Sequence, residues 1–286
     1  ESLDDRGEEF NSENLVVVSF YLITRECGSL FQNLSSLIFH IEENNVDLMD
    51  SKDLETLTNT YFHSLLNLKH LGSIDRIAHG LSILCKSMYE SKNPILPNLA
   101  DRLLNQILSS LESDDFSSIL RRSAGIPHAI KCLLKSEPVG KKSRLFPKTL
   151  NKLFELAEKS PSDHVKVHSL NILKFIFQDS NLRMDIEGYI GQGFIAAIRG
   201  FQSQEWVIRN SALMLFSAIS QRILGTDKVA DQQSLKNKIN IVEFFTRAPA
   251  LVDYFLEEVH DFIKVGREKD LQYPAIYPIT LVFSRL

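Results

Sequence analysis

The chain has 286 residues, of which 44% are hydrophobic and 24% charged, a composition that is typical of a globular protein and argues against disordered, collagenous and membrane-spanning classes. Its 12 glycines and 9 prolines are too few for an all-β fold built from many tight turns. The formal net charge of −4 argues, as an average, against a nucleic-acid-binding protein.

The cysteines and the chain ends bear on location. Cys27, Cys85 and Cys132 are far apart and form no CxxC pair, which favours a reducing, cytoplasmic environment. The acidic N-terminus lacks the positive region of a signal peptide, and the early apolar run at residues 15–23 is too short to cross a bilayer. We expect both ends to be cuts within a longer protein.

Apolar residues recur at i, i+3, i+4 and i+7 along most of the chain, and this period predicts an all-α fold. Ser162 or Asp163 is a predicted N-cap, Gly225 is expected to end a helix, and Pro127 is expected to end or kink the helix that contains residues 120–124. The predicted helices cover residues 14–32, 52–69, 74–89, 97–111, 116–136 with a break, 145–159, 163–178, 190–201, 204–224 and 241–264.

A short pattern recurs along these helices, with an apolar residue, then a base, then a small residue four positions after the apolar one. It occurs at residues 120–124, 165–170 and 208–213, and a weaker copy at residues 74–78 has an acid in place of the base. The copies are 43 to 46 residues apart, the period of armadillo and HEAT repeats. The sequence therefore predicts an α-solenoid of stacked antiparallel helix pairs, continuous over residues 1–286, in which the small residue permits close helix approach.

Two motifs share features with cofactor-binding and metal-binding patterns. Gly191 and Gly193 match the G-x-G-x-x-A pattern of nucleotide-binding folds, but the residues before them do not form an apolar strand, so a tight helix–helix turn is favoured. His164 and His168 are four residues apart without a third ligand at motif spacing, so we predict no metal. No nucleophile or paired acid–base motif is present, and we predict that the chain is not an enzyme and holds no cofactor of its own.

The net charge hides a basic segment. Residues 121–148 sum to +7, whereas residues 1–13 sum to −5. A phosphate backbone would favour such a segment, and a lysine-rich loop in water, at residues 137–148, explains the charge equally well. The candidate phosphate contacts are Lys131, Lys135, Lys141, Lys142, Arg144 and Lys148.

Arg121 and Arg122 differ from these lysines because they adjoin the predicted helix break. Their guanidinium groups could form bidentate contacts with phosphate or with carboxylates of a partner. The alternative is that they cap helix carbonyls within the solenoid.

Three runs give the chain a family resemblance: RRSAGIP at residues 121–127, HSLNIL at 168–173 and WVIRNSALMLF at 206–216. Over about residues 50–265 the chain resembles the thyroid adenoma-associated protein family, which includes a fungal subunit that partners a tRNA ribose methyltransferase. The family pattern commonly has Ala where this chain has Ser169. Signature residues expected to be structural are His168, Asn171, Trp206, Arg209 and Asn210.

The resemblance implies a non-catalytic helical scaffold that binds tRNA and a separate FtsJ-type methyltransferase, not DNA. That partner uses S-adenosylmethionine to methylate the 2′-oxygen of nucleotide 32 in the anticodon loop. The alternative is a protein-interaction scaffold without an RNA role, such as a regulator of a membrane calcium pump, and a direct S-adenosylmethionine enzyme rests on the glycine match alone. The motif that the resemblance associates with methylation comprises Arg121, Arg122, Ser123, Ala124, Gly125, Ile126 and Pro127.

Overall fold

The computed structural model describes residues 12–42, 51–68, 70–90, 96–115, 125–137, 144–225, 238–265 and 275–286. All regular structure in these ranges is helical, which confirms the predicted all-α class. Two short 3₁₀ turns, Ser180–Leu182 and Glu187–Tyr189, flank the short helix Arg183–Ile186. The α-helices are α1 (Ser12–Glu42), α2 (Ser51–Asn67), α3 (Leu71–Glu90), α4 (Leu96–Glu112), α5 (Ile126–Ser136), α6 (Leu145–Lys159), α7 (Asp163–Gln178), α8 (Arg183–Ile186), α9 (Ile190–Phe201), α10 (Trp206–Leu224), α11 (Ile241–Arg247), α12 (Ala250–Val265) and α13 (Ile276–Phe283).

Two helix ends form as the sequence predicts, the N-terminus of α7 and the C-terminus of α10. The Ser162 hydroxyl accepts a hydrogen bond from the backbone N–H of Val165 and caps α7. Gly225 follows α10 with a φ of +72°, a conformation that glycine adopts without steric cost.

The predicted single helix over residues 241–264 is wrong. α11 ends at Arg247 and α12 begins at Ala250, with Pro249 between them. Proline lacks a backbone N–H and disfavours helical geometry in the residue before it, and Ala248 accordingly has φ −137° and ψ 62°.

The chain divides into two compact units, and each is described by itself. The first comprises residues 1–104 and 124–141. In it, α3 packs against α1, α2 and α5, and α2 also contacts α5. Fully buried side chains from α2 and α3 form its core, among them Tyr61, Leu65, Leu81 and Leu84.

The second unit comprises residues 105–123 and 142–286 and is built from stacked helix pairs. α6 packs on α7 and α9 packs on α10; in addition, α7 contacts α10, and α9 contacts both α6 and α12. One layer therefore contains α7 and α10, which carry successive copies of the repeated pattern, and the other contains α6, α9 and α12. This arrangement is that of a helical-repeat solenoid and confirms the predicted fold class. Continuity of the solenoid over residues 1–286 stays a prediction.

The small residue of the repeat lies at a close helix contact. Ala212 on α10 is fully buried, and a Cβ built on Gly200 of α9 would lie 2.6 Å from the Ala212 Cβ. The backbones can approach because neither position carries a large side chain. In the adjacent copy, Ser169 is also fully buried.

Among the helices that the structure describes, none combines the length and apolar character that crossing a bilayer requires.

Candidate functional site

The structure describes the second half of the basic motif, at the start of α5. Gly125 precedes the helix, and Ile126 and Pro127 form its buried first turn. Proline is well suited to this position because the first N–H groups of a helix have no intrahelical acceptor. The preceding residues Arg121, Arg122, Ser123 and Ala124 lie outside the described residues.

Gly125 packs directly on the backbone of α2. A Cβ built on Gly125 would lie 2.1 Å from the Leu65 carbonyl oxygen and 2.7 Å from its carbonyl carbon. These distances are far below van der Waals contact, and the clash is with backbone that cannot rotate away. The glycine of the motif is therefore required by packing.

Two further contacts hold α5 against α3. His128 Nδ1 lies 3.5 Å from Asp75 Oδ1, and one turn later the Cys132 thiol donates to the Ala78 carbonyl at 3.1 Å. Burial is the main influence on His128 and lowers its pKa; Asp75 raises the pKa and Lys131 lowers it. The imidazole is thus predominantly neutral at pH 7. The helix that follows the motif is fixed to both α2 and α3.

The candidate phosphate contacts are distributed over both units. Lys131 and Lys135 lie on α5 in the first unit, whereas Arg144 and Lys148 lie at the start of α6 in the second. Lys135, Arg144 and Lys148 are exposed, and Lys131 is half-buried. Lys141 and Lys142 lie outside the described residues. Contact with phosphate stays a prediction for all six residues.

Lys148 lines a groove between α4 and α6 of about 510 Å³. Its ammonium group donates to the side-chain oxygen of Asn105 on α4. At the end of the groove away from Lys148, Lys152 Nζ lies 2.7 Å from Glu112 Oε1 and 3.6 Å from Glu155 Oε2. The hydrogen bond with Glu112 raises the pKa of Lys152. The remaining lining residues are Leu108, which is buried, Ser109 and Asn151.

Sequence reasoning missed this groove, although its signal is present. Asn105 and Lys148 are 43 residues apart and Glu112 and Lys152 are 40 apart, close to the repeat period. Contacts between residues one period apart are expected where helices of successive repeats lie side by side.

The signature residues occupy different environments. His168 and Asn171 on α7 are buried, whereas Asn210 is exposed and Trp206 is 65% exposed at the start of α10. Arg209 donates to the backbone carbonyls of Ser203 at 2.8 Å and Gln204 at 2.7 Å. It thereby holds the turn that precedes α10.

The glycine pair takes a form other than the predicted one. Gly191 and Gly193 lie in the first turn of α9 and not in a helix–helix turn, so that prediction is wrong. A Cβ on Gly193 would lie 2.8 Å from both Ile219 and Phe177, so this glycine permits close packing of helices. Within the described ranges, no three His, Cys, Asp or Glu side chains are placed to hold a metal ion; His164 is exposed.

The family models cover almost the whole chain. The model described as "THADA/TRM732, DUF2428" matches residues 1–207, and the model described as "Trm732, C-terminal TPR repeats" matches residues 209–286. The chain belongs to the THADA/TRM732 family. Helical repeats in the second model agree with the stacked helix pairs of the second unit.

Several curated relatives are similar to nearly the full chain. A protein from Gallus gallus named "tRNA (32-2'-O)-methyltransferase regulator THADA" is 33% identical over 98% of this chain and 15% of its own length. The Homo sapiens protein of the same name is 32% identical over 100% of this chain and 15% of its own length. In Schizosaccharomyces pombe, "tRNA (32-2'-O)-methyltransferase regulator trm732" is 28% identical over 99% of this chain and 20% of its own length.

This member of the THADA/TRM732 family thus spans about a seventh to a fifth of the length of those relatives. No solved structure matches the chain.

Proposed function

We propose that this chain is part of a non-catalytic regulatory subunit that supports 2′-O-methylation of tRNA at nucleotide 32. The observation that carries the proposal is the similarity of nearly the whole chain to relatives named as regulators of a tRNA (32-2'-O)-methyltransferase. In this proposal the catalytic partner is a separate FtsJ-type enzyme that binds S-adenosylmethionine, and the complex acts in the cytoplasm.

The start of α5 gives the proposal a physical basis. Gly125 packs on Leu65, and His128 Nδ1 lies 3.5 Å from Asp75 Oδ1, so the start of α5 is fixed at a defined point of the first unit. Ile126 and Pro127 are buried, so within the motif they act by packing. In this proposal, Arg121 and Arg122 are the motif residues that contact tRNA phosphate or the methyltransferase, through their guanidinium groups.

Reversal of both arginines tests this assignment. Full-length protein carrying Arg121→Glu and Arg122→Glu, reconstituted with the methyltransferase and tRNA, should lose ribose methylation at nucleotide 32 while helix content stays unchanged. A control with Arg102→Glu and Lys159→Glu makes the same change in charge at exposed positions of α4 and α6 and should retain methylation. Full activity of the Arg121/Arg122 variant would exclude the motif as the contact.

The basic segment is tested separately by the salt dependence of tRNA binding. Neutralising Lys141, Lys142 and Arg144 should weaken binding and lower the slope of log affinity against log salt by about one for each lost phosphate contact. An unchanged slope would assign these residues to a solvated loop with no role in RNA binding.

A further inference from the structure

The groove between α4 and α6 has opposite charge at its two ends. At one end the Lys148 ammonium is bound by the neutral amide of Asn105, so its positive charge is not compensated by that partner. At the other end, two carboxylates, Glu112 and Glu155, share the single ammonium of Lys152 and leave a net negative charge. Glu112 follows Asn105 by seven positions on α4, so the two ends are about 10 Å apart.

This polarity selects against a nucleic-acid backbone. A phosphate chain carries negative charge along its whole length and would be repelled at the Glu112 and Glu155 end. Lys152 adds little attraction for a phosphate, because its ammonium group is already paired with both carboxylates. The groove thus shares Lys148 with the basic segment of residues 121–148, but its other end is acidic and does not suit phosphate.

The lining suits a polypeptide. Asn151 and Ser109 present exposed groups that both donate and accept hydrogen bonds, as main-chain amides require, and Leu108 supplies apolar surface at the base. The groove volume of about 510 Å³ is within the range typical of ligand-binding sites.

We propose that the α4–α6 groove binds, in trans, an extended polypeptide segment with an acidic side chain at the Lys148 end and a basic side chain at the Glu112/Glu155 end. In a polyproline II conformation three residues span about 9 Å and return to the same face, which matches the separation of the two ends. The partner motif is therefore an acid and a base three positions apart. The inference does not depend on the proposed role in tRNA methylation.

The probe is a fluorescein-labelled peptide with Glu and Arg separated by two prolines and flanked by glycines. Its binding to full-length protein is measured by fluorescence anisotropy, beside two peptides that carry Glu or Arg at both positions. We expect saturable binding of the mixed-charge peptide and at least about threefold weaker binding of the like-charged peptides, the scale of one exposed ion pair. Absence of saturable binding up to about 1 mM, or equal binding of the three peptides, would overturn the proposal.

Substitutions of groove residues test whether the peptide binds in the groove. Lys148→Glu, and Glu112→Gln combined with Glu155→Gln, should each weaken peptide binding about three- to fivefold. Lys159→Glu, at the exposed end of α6 outside the groove lining, is the matched control and should leave it unchanged. If the groove variants bind the peptide like the unmodified protein, the site lies elsewhere and the proposal is wrong.

The same variants distinguish a peptide from RNA. Removing the carboxylates of Glu112 and Glu155 weakens the binding of a mixed-charge peptide but strengthens the binding of a polyanion. The change in affinity therefore has opposite sign for a peptide and for RNA. We expect tRNA affinity to stay within about twofold in this variant. A clear gain in tRNA affinity together with loss on Lys148→Glu would assign the groove to RNA and refute peptide docking.

Discussion

Gly125 and Leu65 are in backbone contact although 60 residues separate them in sequence. The contact joins the end of α2 to the start of α5, three positions after the second arginine of the motif. A side chain at position 125 would displace either the Leu65 carbonyl or the helix, so the motif depends on glycine for a packing reason that is independent of any partner.

The first prediction is that Gly125→Ala destabilises α5. The added Cβ would lie 2.1 Å from the Leu65 carbonyl oxygen, and overpacking of this kind costs about 1–3 kcal/mol or more. Hydrogen exchange of the α5 amides in full-length protein should therefore accelerate by about tenfold or more.

Gly188→Ala is the control for this substitution. Nothing lies within 4 Å of a Cβ built on Gly188, and its φ is not in the left-handed region. Exchange in this variant should be unchanged or slower, because alanine restricts the unfolded chain. Equal effects of the two substitutions would contradict the packing argument.

A second prediction is that Ser169→Ala stabilises the second unit. The Ser169 hydroxyl is fully buried and has no hydrogen-bond partner among the described residues. Removing an unsatisfied buried hydroxyl recovers its desolvation cost, about 1 kcal/mol, and slows exchange in α7. Ser136→Ala is the matched comparison, since the buried Ser136 hydroxyl donates to the Leu133 carbonyl at 2.7 Å and its loss should destabilise α5. Destabilisation by both substitutions would show that Ser169 has a partner.

A third prediction concerns pH. The pKa of His128 is lowered in the folded protein, chiefly by burial, so the unfolded chain binds the proton more readily. The stability from neutral His128 is complete above the unfolded pKa of about 6.5 and is lost as pH falls below it towards the lowered folded pKa. Protection factors of the α5 amides should decrease between about pH 7.5 and about pH 5.5, and His128→Gln should remove much of that decrease.

His79→Gln provides the control, because His79 is exposed on the same helix as Asp75. It should leave the pH dependence of α5 as in the unmodified protein. An α5 whose protection is equally sensitive to pH with and without His128 would rule out the imidazole as the titrating group.

Much of the fold follows from the sequence because amphipathic period and helix ends are local signals. The bounds of α6, α7 and α9 agree with those predicted, and Ser162 and Gly225 act as expected. The break at Pro249 was missed because apolar residues continue on both sides of it, although the proline itself was the signal. α13 has only eight residues, too short for a periodic pattern to be distinctive.

The candidate site was less accessible to prediction, since its contacts join residues distant in sequence. The motif and its glycine were identified, but the role of Gly125 depends on the position of Leu65, which no local pattern specifies. Lys148 was predicted as a phosphate contact on charge, whereas its partner Asn105 is found only by applying the 43-residue period to side chains. The repeat period therefore relates the groove residues of α4 to those of α6.

A fourth prediction concerns Ala212, the small residue of the repeat copy at residues 208–213. Ala212→Val should destabilise the contact between α9 and α10, because a Cβ on Gly200 would already lie 2.6 Å from the Ala212 Cβ and no space remains for added methyl groups. The expected cost is about 1–3 kcal/mol, seen as faster hydrogen exchange in both helices. Ser217→Val, at an exposed position of α10, introduces the same β-branched residue without the contact and should cost under about 1 kcal/mol. If the two variants exchange alike, the destabilisation reflects helix propensity alone, and the repeat does not require a small residue at position 212.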